Sequence, residues 1–354
     1  MRCAAATSGR LPAPERGRAG MRLRWAALLP CLLWFVLTLF PIYWTVVTAF
    51  KTPPAVFSGP TYLPWIDFRP SLDGLREVLG GDRGDVVRPL VNSTLIALTA
   101  TTIATLLGAM AAYALVRFTF RVHLLAGVSF ALAGIAVFVG LAPLGMGETS
   151  RMGIAFLAAL LTSILVNRLP LRDKILGNND IAFWFISQRM FPPIVSAFAL
   201  YLLYARMGRD GIPMLDTFWG MVLAYTAFVL PITVWLLRDF FQGLPVEVEE
   251  AALVDDVPRW RIFLGIVLPM ARPGVIATFL IALGFVWNEF LFALILTSSR
   301  WQTMPIMIAG QNSVRGTEWW SISGAALVAI LPMVVVTMFL ARLMRSGLAL
   351  GGRK

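Results

Sequence analysis

Apolar runs of membrane-spanning length recur along the whole chain, and they leave few folds open. Trp25–Phe50, Leu90–Val116, 124–142, 152–169, Ile181–Tyr204, Phe218–Leu237, Val275–Thr297 and Ser323–Met344 are such runs. A helix needs about 20 apolar residues to cross the hydrocarbon core. In lipid the backbone must satisfy its own hydrogen bonds, so runs of this kind fold as helices. Composition agrees: 58% of the 354 residues are apolar and 14% are charged, too apolar for a water-soluble domain. The expected fold is an all-α integral membrane protein with about eight transmembrane helices. The first run is too long for a signal-peptide core and lacks an A-x-A cleavage site, so it reads as a retained span.

Residues 1–24 read as a disordered basic tail, with Arg2, Arg10, Arg16, Arg18, Arg22 and Arg24 against Glu15, and Met21 as an alternative start. The net charge of +11 admits nucleic acid as a partner, but the placement of the charges points to membrane topology. With the N-terminus inside and the spans alternating, most Lys and Arg fall on the cytoplasmic side, as the positive-inside rule requires. Both termini, including the 347–354 tail, are then cytoplasmic, and residues 51–89 and 298–321 face outward. Two cysteines, Cys3 and Cys31, the second inside an apolar run, give no disulfide framework. His123 is the single histidine, and no Cys/His cluster accompanies it, so neither a metal site nor a haem is expected. No Ser/His/Asp set and no phosphate-binding glycine loop is present, which excludes the common enzyme classes.

One stretch between apolar runs cannot sit in lipid. PVEVEEAALVDDVPRWRIFLGIVLPMARP, from Pro245 to Pro273, carries Glu247, Glu249, Glu250, Asp255, Asp256, Arg259, Arg261 and Arg272. Pro245 suits a first helical position and the glutamates favour the positive end of the helix dipole. Asp255-Asp256 reads as a turn and Pro258 as the start of a second helix. Trp260, Ile262, Phe263, Ile266 and Val267 are expected on its inward face, with Arg261 opposite. The pattern predicts a helix–turn–helix on the membrane surface, within a loop spanning 243–273.

Glu250-Ala251-Ala252, then Asp255, Phe263 and Ile266-x-Leu268-Pro269 resemble the EAA loop of ABC importer permeases, in particular the maltose-type carbohydrate family. One position departs from the family: Asp256 stands where it usually has glycine. Ala111-Ala112-Tyr113-Ala114-Leu115 followed by Arg117-Phe118 resembles the end of the second core span of those permeases. The resemblance covers 25–120 and 181–346 and implies a type I importer permease with a six-helix core, 25–346 forming the transmembrane domain. The runs at 124–142 and 152–169 have no counterpart in that core, so 122–180 reads as an inserted helical hairpin, expected at the periphery.

The resemblance also implies function and partners. The chain would be the permease subunit of an ATP-driven importer for a sugar or sugar derivative, in a bacterial inner membrane. ABC ATPase subunits, a second homologous permease and an extracytoplasmic solute-binding protein would be its partners, with ATP and Mg held by the ATPases and no cofactor by this chain. Glu249, Glu250, Ala251, Ala252, Asp255, Asp256 and Arg259 are the expected ATPase-docking residues. Glu250 leads them, since a surface carboxylate forms charge-assisted bonds with a partner's Arg. A solvated helix charge is the plainer account of it.

Two further groups lie inside spans. Gln188-Arg189-Met190-x-Pro192-Pro193 and Trp287-Asn288-Glu289-Phe290 both resemble segments of sugar permeases that line the pathway. Gln188, Arg189, Trp287, Asn288 and Glu289 are therefore the candidates for the substrate pathway. A charge at mid-span is costly, so a structural Arg189–Glu289 ion pair is the other reading. An ion-coupled secondary transporter or a non-catalytic membrane assembly subunit remains as the alternative function. The first would place several ionisable groups in the spans, and here there are Arg189 and Glu289.

Overall fold

The computed structural model describes residues 19–80, 86–170, 173–310, 312–313 and 316–351, with side chains for 28–80, 86–170, 173–310 and 318–343. Residues 1–18 of the basic tail, Cys3 among them, and 352–354 lie outside the described residues. Six helices are long and apolar enough to cross a membrane, and two further helix pairs meet that test together but are sharply bent. The chain is an all-α membrane protein.

Two compact units are distinguished. The first comprises residues up to Leu75 together with Trp319–Leu327. It holds α1 (Ala19–Ala49), the short α2 (Pro53–Phe57) and the first turns of the last helix. Helix α1 starts at Ala19, six residues before Trp25, so 19–24 are helical where the sequence reading expects a disordered tail. Past its end, Lys51 is buried, with Nζ donating to the Thr61 carbonyl at 2.6 Å and lying 4.2 Å from the Trp44 ring centre. Asp67 turns the following loop by accepting from the Tyr62 and Leu63 N–H groups.

The second unit is built on α4 (Val87–Arg117), which follows α3 (Asp73–Gly80). Small residues make α4 a close-packing rod, because they let helix backbones approach in lipid. Ala97, Ala100, Ala104, Ala109 and Ala112 are all buried. They face α9 (Phe218–Gln242), whose Thr233 hydroxyl donates to the Ala104 carbonyl at 3.1 Å. Helix α13 (Arg272–Trp287) completes this core. At one end Asn92 Nδ2 donates to the carbonyls of Arg300 and Gln302, and the Met304 N–H donates to Ser93 Oγ at 2.7 Å. Asp216, at φ +53°, binds the same loop through the N–H groups of Ser299, Arg300 and Trp301. Burial opposes ionisation there, yet those N–H bonds win and hold the carboxyl at about 2.

Between α4 and α9 come α5 (Leu124–Gly140) and α6 (Glu148–Asn167), packed antiparallel. The ends of this hairpin meet in a two-stranded antiparallel ladder, β1 (Val122–His123) with β2 (Ile175–Leu176). His123 Nδ1 is paired with Asp173, whose second oxygen accepts from the Leu125 N–H at 2.8 Å. The far tip is tied to the 206–210 segment by Glu148 to Arg206 at 3.1 Å and by the Thr149 N–H to Asp210. Exposed ion pairs of that kind add about 0–1 kcal/mol. Replacing 124–174 with a short glycine linker across the ladder is therefore expected to leave a folded core. Size-exclusion profiles of the purified variant check this; an aggregated product at normal expression would show the hairpin to be integral.

The fifth expected span is not straight. Helix α7 (Asn178–Ser187) and α8 (Pro193–Arg209) meet at 90° across a 3-10 turn at Gln188–Met190. Pro192 and Pro193 account for the break, since proline lacks an N–H and disfavours helix before it. The seventh is also interrupted: α13 ends at Trp287 and α14 (Leu291–Leu296) begins after three non-helical residues. Past α15 (Met304–Ala309), the last helix, α16, runs from Trp319 to Gly351, so 347–351 of the expected tail continue it.

Candidate functional site

The charged loop folds as a helix–turn–helix. Helix α10 (Val246–Val254) is followed by a turn and then by α11 (Arg259–Ile262), a π-helical turn at Phe263–Val267 and α12 (Leu268–Met270). This second element is bent by 78° from α13. Asp256 sits at φ +55°, the left-handed geometry that closes the turn, while the Val257 N–H returns to the Ala252 carbonyl at 3.1 Å. Asp reaches this region at some cost because its short side chain tolerates it, where a bulkier residue would not.

The loop presents two faces. Glu250, Ala251, Asp255, Asp256 and Arg259 are exposed, beside Val254, Trp260 and Leu264, which are 83%, 61% and 54% exposed. Exposed acidic and exposed apolar side chains thus occur together along this element. Arg259 also stacks on the Phe118 ring at 5.1 Å. Ala252, Ile262 and Val267 are buried. Trp260 departs from the expected inward face. At 100° per residue it lies 200° from Ile262, so burying one exposes the other.

Glu249 belongs to the inner face. It is 6% exposed, and its Oε1 takes an ion pair from Arg117 at 2.7 Å while Oε2 accepts from the Tyr113 hydroxyl at 2.9 Å. Arg117 further donates to the carbonyls of Phe241 and Leu244. No local pattern marks this cluster, in which Glu249 lies more than 100 positions from both Tyr113 and Arg117.

The second group of residues surrounds the bend of α7–α8. Gln188 and Arg189 line a cavity of about 450 Å³ together with Ser196, Leu200, Phe228 and Phe292. Arg189 is half-buried. Its guanidinium lies between the Phe228 and Phe285 rings, 4.8 and 4.9 Å from their centres, and donates to the Phe228 carbonyl at 3.2 Å. Phe228 and Phe285 escaped the sequence reading, because nothing distinguishes them from other span aromatics. An adjacent cavity of about 650 Å³ is lined by Asn288 and Glu289, and shares Pro193 and Phe228 with the first. No residue of 124–169 lines either cavity.

Glu289 is 8% exposed. Its carboxylate accepts from the N–H groups of Leu291 and Phe292 at 2.9–3.1 Å, which caps α14. No ion pair joins it to Arg189 among the described residues. The two charges are thus accommodated separately, one by aromatic faces and one by backbone N–H groups. Asn288 is exposed, donating to the Gly284 carbonyl. Trp287 is 9% exposed and lies in the core cluster of α4, α9 and α13, away from both cavity linings.

Residues 104–348 match the family described as binding-protein-dependent transport system inner membrane component. A probable ABC transporter permease protein of Sinorhizobium fredii is 28% identical, with 95% of this chain and 97% of that protein aligned. The trehalose/maltose transport system permease protein MalG of Thermococcus litoralis is 25% identical over 92% of this chain and 95% of its own length. A diacetylchitobiose uptake permease of Streptomyces coelicolor is 26% identical over 92% and 86%. The fold matches a chain of a bacterial ABC transporter involved in the import of alginate, with a TM-score of 0.61 at 14% identity, covering 93% of this chain and 99% of that one.

Proposed function

The chain belongs to the family of binding-protein-dependent transport system inner membrane components, and from that premise we propose that it is the permease subunit of an ATP-driven importer of a sugar or sugar derivative. The relatives named for trehalose, maltose and diacetylchitobiose support the substrate class. The observation that carries the reading is the solvent-facing side of α10 and α11, where Glu250, Asp255 and Asp256 flank exposed Val254 and Trp260. A surface mixing acid with large apolar side chains suits a partner's cleft rather than open water. That partner is an ABC ATPase on the cytoplasmic side, which holds the ATP and Mg. A second homologous permease and an extracytoplasmic solute-binding protein complete the importer, and both termini of this chain are cytoplasmic.

In this mechanism the ATPases close on ATP and carry the docked α10–α12 element as a rigid body. The spans then switch between inward-facing and outward-facing arrangements. Gln188, Arg189, Asn288 and Glu289 border the path that the sugar takes. Ion-coupled transport is less favoured, because Arg189 and Glu289 are each engaged by rings or backbone and do not form a relay.

Glu250→Lys tests the docking. The variant is expected to reach the membrane at normal abundance yet to lose co-purifying ATPase and uptake, since it turns a charge-assisted contact into a repulsion. Full uptake with the ATPase still bound would overturn the docking assignment.

A further inference from the structure

We propose that Glu249, Arg117 and Tyr113 form the clasp through which movement of the docking element reaches the membrane-spanning core. The proposal rests on the docking reading of α10 and assigns a second, inward task to the same helix.

Glu249 and Ala252 are the buried residues of α10. Ala252 contributes a small apolar contact, which slides easily. Glu249 contributes directed bonds: Arg117 reaches Oε1 at 2.7 Å through both Nε and Nη2, and Tyr113 reaches Oε2 at 2.9 Å. Charge-assisted, multi-point bonds resist both separation and rotation. Tyr113 and Arg117 are one turn apart on α4 and so present one face to the carboxylate. Arg117 also holds the Phe241 and Leu244 carbonyls at the end of α9, where a cation suits the negative pole of that helix. One guanidinium therefore joins three elements: α10, α4 and α9. Phe263 of the surface element adds a ring contact, 4.9 Å from the Tyr113 ring centre.

Neighbouring glutamates divide the labour. Glu250 faces solvent, and Glu249, 100° around the helix, faces α4. A pull on Glu250 is thereby handed to the end of α4. That helix lies against α9 and α13 and carries the buried stripe from Ala97 to Ala112. Glu249 and Arg117 are positioning residues in this account; they touch neither nucleotide nor sugar.

The test uses the complete importer in proteoliposomes, with maltose and trehalose as probe sugars, reading ATP hydrolysed and sugar accumulated in the same sample. Glu249→Gln keeps the size and one acceptor but removes the charge. It should leave the ATPase bound and hydrolysing while sugar moved per ATP falls about tenfold or more, as expected when a buried pair loses one charge. Glu249→Asp should recover part of that ratio. Tyr113→Phe removes a single hydroxyl and should lower the ratio about tenfold or more, the worth of one hydrogen bond to a charged group; it serves where Glu249→Gln does not accumulate. An unchanged sugar-to-ATP ratio in Glu249→Gln, or in Tyr113→Phe where that variant must stand in, would overturn the clasp. Loss of bound ATPase in Glu249→Gln would also overturn it, by making Glu249 a docking contact. Failure of the docking reading itself shows separately, as ATPase retained by Glu250→Lys.

Discussion

Arg189→Met is expected to lower uptake at least about tenfold while leaving the chain in the membrane, and Glu289→Gln to lower both uptake and abundance. The difference follows from how each charge is held. Arg189 is half-buried at a cavity wall, between two phenylalanine rings. Each ring contact stabilises it by about 0.5–2 kcal/mol, and methionine of similar length fills the same space. Glu289 is buried and caps α14 with a carboxylate. Gln offers one oxygen where two are used, and its amide N–H groups then face backbone donors. Losing bonds to a charged acceptor costs about 1.5–3 kcal/mol. With no ion pair between them, the double mutant should show the two losses added, within about 0.5 kcal/mol. A double mutant milder than either single change would reveal a pair formed in another state of the transport cycle. Membrane abundance and initial uptake rates for the three variants separate these results.

Gly108→Val is expected to prevent the core from closing. A Cβ built at Gly108 meets Thr233 Oγ1 at 2.5 Å and Thr233 Cβ at 3.0 Å. Thr233 is fully buried and its hydroxyl is committed to the Leu230 and Ala104 carbonyls, so neither partner can give way. Overpacking of a tight core costs about 1–3 kcal/mol for extra methylenes, and valine adds more than one. Abundance in the membrane should collapse, with Gly108→Ala intermediate and Thr233→Ala restoring part of the loss in that background. Gly274 gives the contrast. Its added Cβ would strike the Phe240 ring, but that ring is 43% exposed and can swing aside. Normal abundance of Gly108→Val in immunoblots of isolated membranes would contradict the packing argument.

These helices were legible because lipid reduces the problem to length and polarity. The spans at 90–116 and 218–237 correspond to α4 and α9, and the proline and acid pattern from Pro245 gave α10, the turn and α11 in order. The surface loop was readable for the same reason, as a break in hydropathy. Side-chain direction was less so. Grouping Trp260 with Ile262 ignored the 200° between them. Glu249 and Glu250 look alike in sequence, and what separates them is Arg117, a residue 132 positions away. Ile181–Tyr204 reads as one span in sequence, with nothing in its length or polarity to set the 90° bend at Pro192-Pro193, and the partners of Arg189 are phenylalanines with no distinguishing pattern. Long-range electrostatics and aromatic packing are set by tertiary geometry, which local spacing does not encode.

The turn at Asp256 has a kinetic side. A glycine would close the same left-handed corner without strain, but it would carry no charge. With aspartate there, two adjacent carboxylates, Asp255 and Asp256, stand at the exposed tip, five and six positions beyond the exposed Glu250. Their field reaches beyond contact distance, about 8–10 Å at physiological ionic strength. A basic cleft drifting near would be oriented before it touches, raising the encounter rate in dilute salt and much less in concentrated salt. Under the docking proposed above, the corner that shapes the loop also sets how quickly it meets its partner.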